Sequence, residues 1–407
     1  MPTRPWHFAS QAIPCRRKYT NVPKLFKGSQ RSFSQRDTDQ PLRVLFCGSD
    51  EFSITSLEAL HRYASSSDSN VASIDVATKT DKRTGRGLKV IKSPPIKSIA
   101  EKLGLAVHQF DTFRGWSLPA SSVSGQAYIN MVIAVSFGLL VPPRILAACE
   151  FGGLNVHPSM LPDLKGSMPI EHTIINGYDT TGVTVQTLHP SKFDEGRIVL
   201  QTPSPGIRIP DSTHITTSGL RNFLAPIGAE MLVRSLHERL YFRAQDTISN
   251  ANEPKLNHAP RMSPESRHIS FRTMSSTHVL RLNRALGRLW FRSGNIGAGQ
   301  DDERLILESD LRLAKGKDLE HVTKATREKA VTGLPFAVTV PRLNSSNSPS
   351  TLLVKCVDGE FLCIPTLRMS SSRPANSVTA AARAKLLECA DSIAEDQTVC
   401  NFRRMPG

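Results

Sequence analysis

The chain has 407 residues, more than the roughly 100 to 200 residues of a typical single domain, so we expect two domains with tails. Its 51 Lys and Arg residues outnumber 36 Asp and Glu residues, and the resulting net charge of +15 favours phosphate-rich partners such as nucleic acid. The seven cysteines show no zinc-ligand spacing, and no apolar run approaches the roughly 20 residues of a transmembrane helix. We therefore expect reduced thiols, no metal site and no contact with a membrane.

A basic segment without acidic residues opens the chain. The first 36 residues contain no Asp or Glu, and their Lys and Arg residues are interspersed with Ser, Phe and Trp. This composition is typical of a mitochondrial transit peptide. We therefore predict that residues 1–40 are a leader and that the protein acts in the mitochondrial matrix. The alternative is a basic arm that contacts RNA.

Strands alternate with helical patterns from residue 42 onward. The apolar run Leu42–Cys47 stops at Gly48, and apolar residues with helical spacing follow. Further strands are predicted at Val71–Thr78 and Met131–Ser136. This alternation predicts an α/β domain with a mostly parallel sheet over residues 41–242. The turn after the first strand lacks the later glycines of the dinucleotide-binding fingerprint, which argues against an NAD site.

A glycine-containing cationic loop lies between two of the predicted strands. Its sequence, from Asp81 to Lys89, is Asp-Lys-Arg-Thr-Gly-Arg-Gly-Leu-Lys. Such a loop can reach an anion, although charge runs of this kind are also common in solvated loops without a partner. The sequence alone leaves both interpretations open.

The pattern changes in the second half of the chain. A helical pattern covers about 207–242, and the polar, proline-containing residues 243–265 are predicted to be a linker. Within residues 266–395, a basic amphipathic helix at Thr277–Leu289 and several short strands after it predict a small β-barrel domain. Asp358-Gly359 is typical of a tight hairpin turn. Residues 396–407 are predicted to form a tail.

Asn155, His157 and Asp194 form the most informative polar set. Asn155 and His157 are two residues apart in a predicted strand, so their side chains lie on one face and can enter the same cleft. A later loop can bring Asp194 back to orient the imidazole. An amide donor beside a titratable ring suits attack at a carbonyl carbon. Each residue considered alone could equally be a hydrogen-bonded structural group.

Taken together, these motifs resemble those of the methionyl-tRNA formyltransferases, in particular the mitochondrial type. The resemblance covers about residues 42–390. It depends on the cationic loop followed by Ser93-Pro94-Pro95-Ile96-Lys97, on the segment Ala134–Pro142, and on the Asn-x-His block with its downstream Asp194. It implies a Rossmann-like formyltransferase domain followed by a small OB-like β-barrel.

The resemblance also implies a reaction and a set of site residues. The family transfers the formyl group of 10-formyltetrahydrofolate to the amino group of methionine on initiator methionyl-tRNA. Asn155, His157 and Asp194 match its catalytic positions. Folate would bind near Phe137, Gly138, Leu139, Leu140, Ser159, Met160, Leu161 and Pro162. Candidate tRNA-binding residues are Arg86, which matches a loop arginine of the family, and the basic residues Lys89, Lys165, Arg281, Arg284, Arg288, Arg368 and Arg373.

Two positions depart from the family pattern. Lys165 precedes Gly166 where the family commonly has an arginine, which replaces a bidentate donor with a point charge. Arg197 occupies a position where family members often have an acid. Two alternative functions stay open, namely a folate-dependent formyltransferase or hydrolase with a small-molecule acceptor, and a non-catalytic RNA-binding protein on the same scaffold. We expect a monomer that binds initiator methionyl-tRNA and folate.

Overall fold

A seven-stranded sheet lies at the centre of the first half of the chain. The structure is a computed structural model that describes residues 40–119, 128–244, 256–292, 304–308, 310–320, 322–339, 352–369, 373–383, 387–389 and 398–402. Residues 41–407 cluster as one compact unit. The predicted leader lies outside the described residues, except for residue 40.

The strands up to residue 208 are β1 (Leu42–Gly48), β2 (Val71–Thr78), β3 (Lys82–Thr84), β4 (Val90–Lys92), β5 (Ala106–Gln109), β6 (Met131–Val135), β7 (Gly153–His157), β8 (Thr180–Thr181), β9 (Thr184–Thr187), β10 (Ile198–Gln201) and β11 (Ile207–Arg208). The strand order of the central sheet is β10-β9-β7-β6-β1-β2-β5. Its strands β1, β2, β5, β6 and β7 are parallel, whereas β9 and β10 run antiparallel at one edge. All five residues of β6 are buried, as expected for a parallel strand covered on both faces. The predicted mostly parallel sheet is therefore confirmed.

Five helices of the described residues up to 237 cover the central sheet; two begin at a side-chain cap and three begin with a proline in the first turn. The first helix starts after Asp50, whose carboxylate accepts a hydrogen bond from the backbone N–H of Ser53. Apolar residues of this helix pack against the long helix that ends at residue 237, which builds the core on that face. None of the helices within the described ranges is long and apolar enough to cross a membrane. The helices up to residue 237 are α1 (Glu51–Ala64), α2 (Pro95–Lys102), α3 (Pro143–Ala148), α4 (Pro169–Asn176) and α5 (Thr217–His237).

The predicted helical segment over about 207–242 is too long. Strand β11 pairs with β8, so the chain is still extended at Arg208. The helix begins only after Thr216, whose hydroxyl accepts from the backbone N–H of Gly219 and caps the first turn. Apolar residues occur on both sides of this boundary, and periodicity alone therefore could not locate it.

The order of the parallel strands creates a cleft at the carboxyl edge of the sheet. From β1 the chain proceeds to β2 and β5 on one side, and β6 then starts the other half of the sheet beside β1. Ligands of open α/β folds bind at such a switch point, outside the carboxyl ends of the strands. The residues after β1, β6 and β7 are therefore placed around one site.

The elements of the C-terminal part are α6 (Ser276–Leu286), β12 (Leu289–Arg292), β13 (Arg304–Leu307), β14 (Arg312–Leu313), α7 (Lys324–Lys329), β15 (Phe336–Thr339), β16 (Leu352–Lys355), β17 (Phe361–Ile364), β18 (Thr366–Met369), β19 (Ala375–Asn376), α8 (Ser377–Arg383), β20 (Leu387–Cys389) and β21 (Thr398–Phe402). The strands form two antiparallel sheets, with strand orders β12-β13-β18-β19 and β14-β17-β16-β15-β21-β20. A hairpin at Gly359 joins β16 to β17, as the Asp358-Gly359 pair predicted. The β-rich character of this part is therefore confirmed, whereas closure into an OB-like barrel stays a prediction. Strand β21 lies in the segment predicted as a tail.

Candidate functional site

Strand β7 carries Asn155 and His157 to the carboxyl edge of the sheet. It pairs in parallel with β6 on one side and antiparallel with β9 on the other, so the register of its side chains is defined. The two residues are separated by one position and therefore lie on the same face. Both side chains approach Asp194, which brings the three predicted catalytic residues together.

The Asp194 carboxylate is the centre of this cluster. Its Oδ1 accepts hydrogen bonds from Asn155 Nδ2 at 3.3 Å and from Gln186 Nε2 at 3.1 Å. The same oxygen lies 3.4 Å from Nδ1 of His157, and the other oxygen accepts from the backbone N–H of Gly166 at 2.9 Å. The side chains of His157 and Asp194 are 6% and 9% exposed, respectively. The carboxylate is therefore oriented by protein donors. We call Asn155, His157, Gln186 and Asp194 the Asp194 cluster.

The hydrogen bonds of His157 define the state of both ring nitrogens. Nε2 lies 3.0 Å from the carbonyl oxygen of Leu164, and because a carbonyl can only accept, Nε2 carries a proton. Nδ1 faces the Asp194 carboxylate. Any further proton that the ring takes up is therefore held at Nδ1, between the imidazole and the carboxylate. This arrangement suits the transfer of a proton to and from a substrate.

Gln186 was missed by the sequence analysis. It lies on β9 opposite Asn155, is 1% exposed, and donates to Asp194 through Nε2. Its Oε1 accepts a hydrogen bond from the backbone N–H of Gly196 at 3.1 Å. Gln186 therefore connects the Asp194 carboxylate to the loop that follows it. The available signal was an amide side chain directly after Val183-Thr184-Val185, an apolar stretch expected to be buried.

A cavity of about 730 Å³ opens in front of the cluster. This volume is within the usual range for small-molecule sites, roughly 300 to 1,000 Å³. Four of the predicted folate-binding residues, Phe137, Gly138, Leu139 and Leu140, line it together with Asn155, His157 and Asp194. The second predicted group, Ser159, Met160, Leu161 and Pro162, is not part of its lining among the described residues.

The second group instead supports the loop behind the cavity. The Ser159 hydroxyl donates to the backbone carbonyl of Asp163 at 2.7 Å. The backbone N–H of Leu161 donates to Thr184 Oγ1 at 3.1 Å, which ties this loop to β9. A direct folate contact by residues 159–162 stays a prediction.

Two half-buried carboxyl groups, Asp50 and Glu171, lie at another wall of the cavity. Burial raises the pKa of Asp50, and the hydrogen bond from Ser53 and the charge of Arg221 partly offset this effect. Burial also raises the pKa of Glu171, with a partial offset by its own backbone N–H and by Arg221. This wall can therefore hold a proton or a cation. Within the described residues, no group of three or more His, Cys, Asp and Glu is arranged to hold a metal ion.

The cationic loop forms a small antiparallel hairpin from β3 and β4, residues 82–92, which we call the cationic hairpin. Its residues Leu88, Val90 and Ile91 are 59%, 59% and 61% exposed, and Lys89 is also exposed. Arg86 lies in the short turn of 3-10 helix between the strands. The hairpin therefore presents apolar and basic groups to solvent together. The other candidate near the cavity, Lys165, forms an ion pair with Glu195 at 3.0 Å.

Most of the predicted C-terminal tRNA-binding arginines have partners inside the protein. Arg284 donates to the backbone carbonyls of Ser212 at 2.9 Å and Ile215 at 3.3 Å, and burial together with Arg281 lowers its pKa. The site therefore brings the three predicted catalytic residues together, but it does not gather these arginines around it. Arg281 lies against Gly177 at the end of α4, Arg288 and Arg368 lie 2.5 Å and 3.7 Å from the Glu308 carboxylate, and Arg373 is exposed.

Comparison with known proteins gives consistent results. Residues 42–222 match the family model of formyl transferases. The chain is 32% identical over 391 residues to the mitochondrial methionyl-tRNA formyltransferase of Saccharomyces cerevisiae, covering 86% of this chain and 92% of that protein. It is 29% identical over 269 residues to the corresponding Rattus norvegicus enzyme, covering 65% of this chain and 63% of that protein, which is less than two thirds of its length. A solved N-formyltransferase from Helicobacter canadensis, in complex with folinic acid and dTDP-3-aminofucose, has a TM-score of 0.47 at 14% identity, covering 79% of this chain and 98% of that chain.

Proposed function

The chain belongs to the methionyl-tRNA formyltransferase family, and we propose that it transfers a formyl group from 10-formyltetrahydrofolate to the methionine amine of initiator methionyl-tRNA. The observation that carries this proposal is the convergence of Asn155 and His157 on Asp194 at the carboxyl edge of the sheet. These groups match the needs of acyl transfer to an amine, namely a donor for the developing oxyanion and a path for the departing proton.

Asn155 is the donor that stabilises negative charge on the formyl oxygen. In the structure one of its two amide hydrogens is directed at Asp194, and the second is left for a ligand in the cavity that the residue lines. The hydrogen bond to Asp194 fixes the orientation of the amide before substrate binds. A pre-oriented donor of this kind typically contributes about 10²- to 10³-fold to the rate.

His157 and Asp194 handle the proton of the attacking amine. The amine must lose a proton as its bond to the formyl carbon forms, and the bond from that carbon to the folate nitrogen breaks. Nδ1 of His157 can accept a proton, since Nε2 already carries one for the Leu164 carbonyl. Asp194 lies 3.4 Å away and stabilises the resulting positive charge. The same groups can return the proton to the leaving nitrogen.

The cavity provides suitable space for a folate. Phe137, Leu139 and Leu140 supply apolar surface next to the switch point of the sheet, and Gly138 keeps that wall open with φ of 69°. When bound, 10-formyltetrahydrofolate supplies the activated formyl group. These residues would hold its ring system in the cavity that Asn155 also lines.

The remaining features support a tRNA acceptor in mitochondria. The cationic hairpin and the net charge of +15 favour a polyanion, and the two C-terminal antiparallel sheets fit an OB-like RNA-binding module. Both eukaryotic relatives described above are mitochondrial enzymes, and the leader-like first 36 residues agree with import into the matrix. We expect the enzyme to act as a monomer.

The test is formyl transfer by the full chain, with 10-formyltetrahydrofolate and methionyl initiator tRNA as substrates. We expect transfer to the methionine amine, a loss of about 10²- to 10³-fold in Asn155→Ala, and no product with uncharged tRNA. Hydrolysis of the donor without transfer would favour a hydrolase. Salt-dependent tRNA binding without either reaction would favour a non-catalytic RNA-binding protein.

A further inference from the structure

The loop from Asp163 to Met168 supplies backbone groups that the catalytic residues need. The Leu164 carbonyl accepts from His157 Nε2 at 3.0 Å, and the Gly166 N–H donates to Asp194 at 2.9 Å. Both hydrogen bonds set the orientation of a catalytic side chain. The position of this loop therefore decides whether His157 and Asp194 face the substrate correctly.

The backbone of this loop is not intrinsically stable in its observed conformation. Leu164 has φ of 58°, a left-handed conformation that is unfavourable for a residue with a Cβ. Gly166 has φ of 132°, which favours glycine. Strained residues of this kind persist when the surrounding structure holds them in place. Contacts with residues outside the loop must therefore maintain this conformation.

A segment of the stretch predicted as a linker, residues 243–265, provides this support. The Leu164 N–H donates to the Asn257 carbonyl at 2.7 Å, and the Ala259 N–H donates to the Lys165 carbonyl at 2.8 Å. Ala259 is completely buried, and a Cβ placed on Gly166 would lie 2.3 Å from its carbonyl oxygen. Residues 257–259 thus run beside the loop in close backbone contact, with one isolated parallel bridge between Lys165 and His258.

The Asp163 side chain of the loop holds residues 257–259 in place. The two carboxylate oxygens of Asp163 accept from the Asn257 N–H at 2.8 Å and from the Tyr178 hydroxyl at 2.8 Å. The Tyr178 oxygen in turn accepts from Asn257 Nδ2 at 2.7 Å, which closes a three-residue network. Burial raises the pKa of Tyr178, and the hydrogen bond to Asp163 raises it further, so its hydroxyl remains a donor.

We propose that Asp163 is a positioning residue for formyl transfer. It holds residues 257–259 of the linker against the loop, and the loop then holds His157 and Asp194 in their reactive orientation. This inference rests on the proposed function. Residues 257–259 are followed by Pro260 and Arg261, which line the cavity, so the start of the C-terminal part is attached directly to the site.

The first test compares Asp163→Ala with Asp163→Asn in steady-state kinetics. Asp163→Ala removes both acceptors, and we expect kcat to fall about 10- to 100-fold, as for a small displacement of catalytic groups, with KM for both substrates unchanged. Asp163→Asn keeps one acceptor oxygen for the Asn257 N–H and should recover most of kcat. An unchanged kcat in Asp163→Ala, or a change confined to KM, would overturn the proposal.

Asp358→Ala is the matched control. Asp358 likewise accepts a backbone N–H and a hydroxyl, both from Ser276 at 2.8 Å, and also the Glu360 N–H at 3.4 Å, but it lies in the C-terminal part. Its loss should lower the melting temperature without a comparable loss of kcat. An equal fall of kcat in both variants would reduce the role of Asp163 to general stability and overturn the proposal.

Backbone hydrogen exchange provides a measurement that does not depend on activity. In Asp163→Ala the amides of Leu164 and Gly166 should exchange faster, whereas amides of β6 should not change. Tyr178→Phe, which removes only a hydroxyl, replaces Asp163→Ala if that variant does not fold. If the wild-type chain transfers no formyl group, the proposed function fails. Unchanged exchange at Leu164 and Gly166 would refute the positioning role separately.

Discussion

The Asp194 cluster and the cationic hairpin differ in how their side chains are held. In the cluster, each of the four side chains contacts another protein group, and the central Asp194 carboxylate accepts from two side chains and one backbone N–H. The hairpin is attached at its base, where Lys82 pairs with Asp111 at 3.0 Å, and its tip is exposed. The cluster is therefore ordered by protein contacts before any ligand binds, whereas the exposed groups of the hairpin can be ordered by contact with a partner.

This difference predicts that the cluster determines the rate of formyl transfer and that the hairpin contributes to tRNA binding. A pre-oriented group lowers the barrier because no reorganisation is needed when charge develops. Exposed Lys and Arg contribute little to the stability of the folded protein, since solvent screens their charge. When they contact phosphates, however, counterions are released, and this release favours binding. Substitutions in the cluster should therefore lower kcat, whereas substitutions in the hairpin should change KM for tRNA and its dependence on salt.

The largest effect is expected for Asp194→Asn. The asparagine keeps the size of the side chain but presents donors where Asp194 accepts from Asn155 and Gln186, and it removes the charge beside His157. We expect kcat to fall about 10³-fold, within the range for loss of general acid–base catalysis. Affinity for methionyl-tRNA, measured by filter binding, should not change. A parallel loss of affinity would mean that the two regions are not separable.

A smaller effect is expected for Gln186→Leu, which tests the residue that the sequence did not reveal. Leucine fits the buried position but removes one donor to Asp194 and the acceptor for the Gly196 N–H. We expect kcat to fall about 10-fold and the free energy of unfolding to decrease by about 1 to 2 kcal/mol. Gln109→Leu is the control, because Gln109 donates to Asp81 at 2.8 Å at the opposite edge of the sheet. If both variants lose kcat equally, Gln186 has no special role.

Lys89→Ala should act on recognition alone. We expect KM for methionyl-tRNA to rise while kcat stays constant, and the slope of log(kcat/KM) against log salt to become shallower by about 0.7 to 0.9, as for one lost phosphate contact. Lys102→Ala, an exposed lysine at the end of α2, is the control and should leave the slope unchanged. A fall of kcat in Lys89→Ala would show that the hairpin also positions the acceptor end.

The sequence predicted those parts of the fold and site that depend on local order. Buried strands alternating with helices indicated the parallel sheet, and a separation of two residues in a strand placed Asn155 beside His157. The return of Asp194 to the same face followed from the family resemblance. These features depend on residues close together in the chain or on one short connection, and a sequence pattern can therefore indicate them.

The features that escaped prediction depend on long-range contacts. Gln186 reaches Asp194 because β9 pairs antiparallel with β7, and Asn257 reaches Asp163 across 94 positions of the chain. Likewise, the helical pattern around Arg284 indicated a basic amphipathic helix, but it could not show that α6 packs against α4 and α5. Basic residues that complete an interface inside the protein have the same sequence signature as those that bind RNA.

Arg284→Ala tests this distinction and should have the smallest effect on activity. Its guanidinium already donates to the carbonyls of Ser212 and Ile215, near the start of α5. Because the group is partly buried, breaking these hydrogen bonds would leave the two carbonyls without their donor at a cost in free energy. We therefore expect the melting temperature to fall by a few degrees, while tRNA affinity and its salt slope stay constant. Arg373→Ala, which removes an exposed arginine, is the comparison and should weaken binding without a change in melting temperature. If Arg284→Ala reduced the salt slope as Lys89→Ala does, the guanidinium would have to leave its carbonyl partners when RNA binds. The distinction between basic groups with partners inside the protein and exposed basic groups would then hold only for the enzyme without bound RNA.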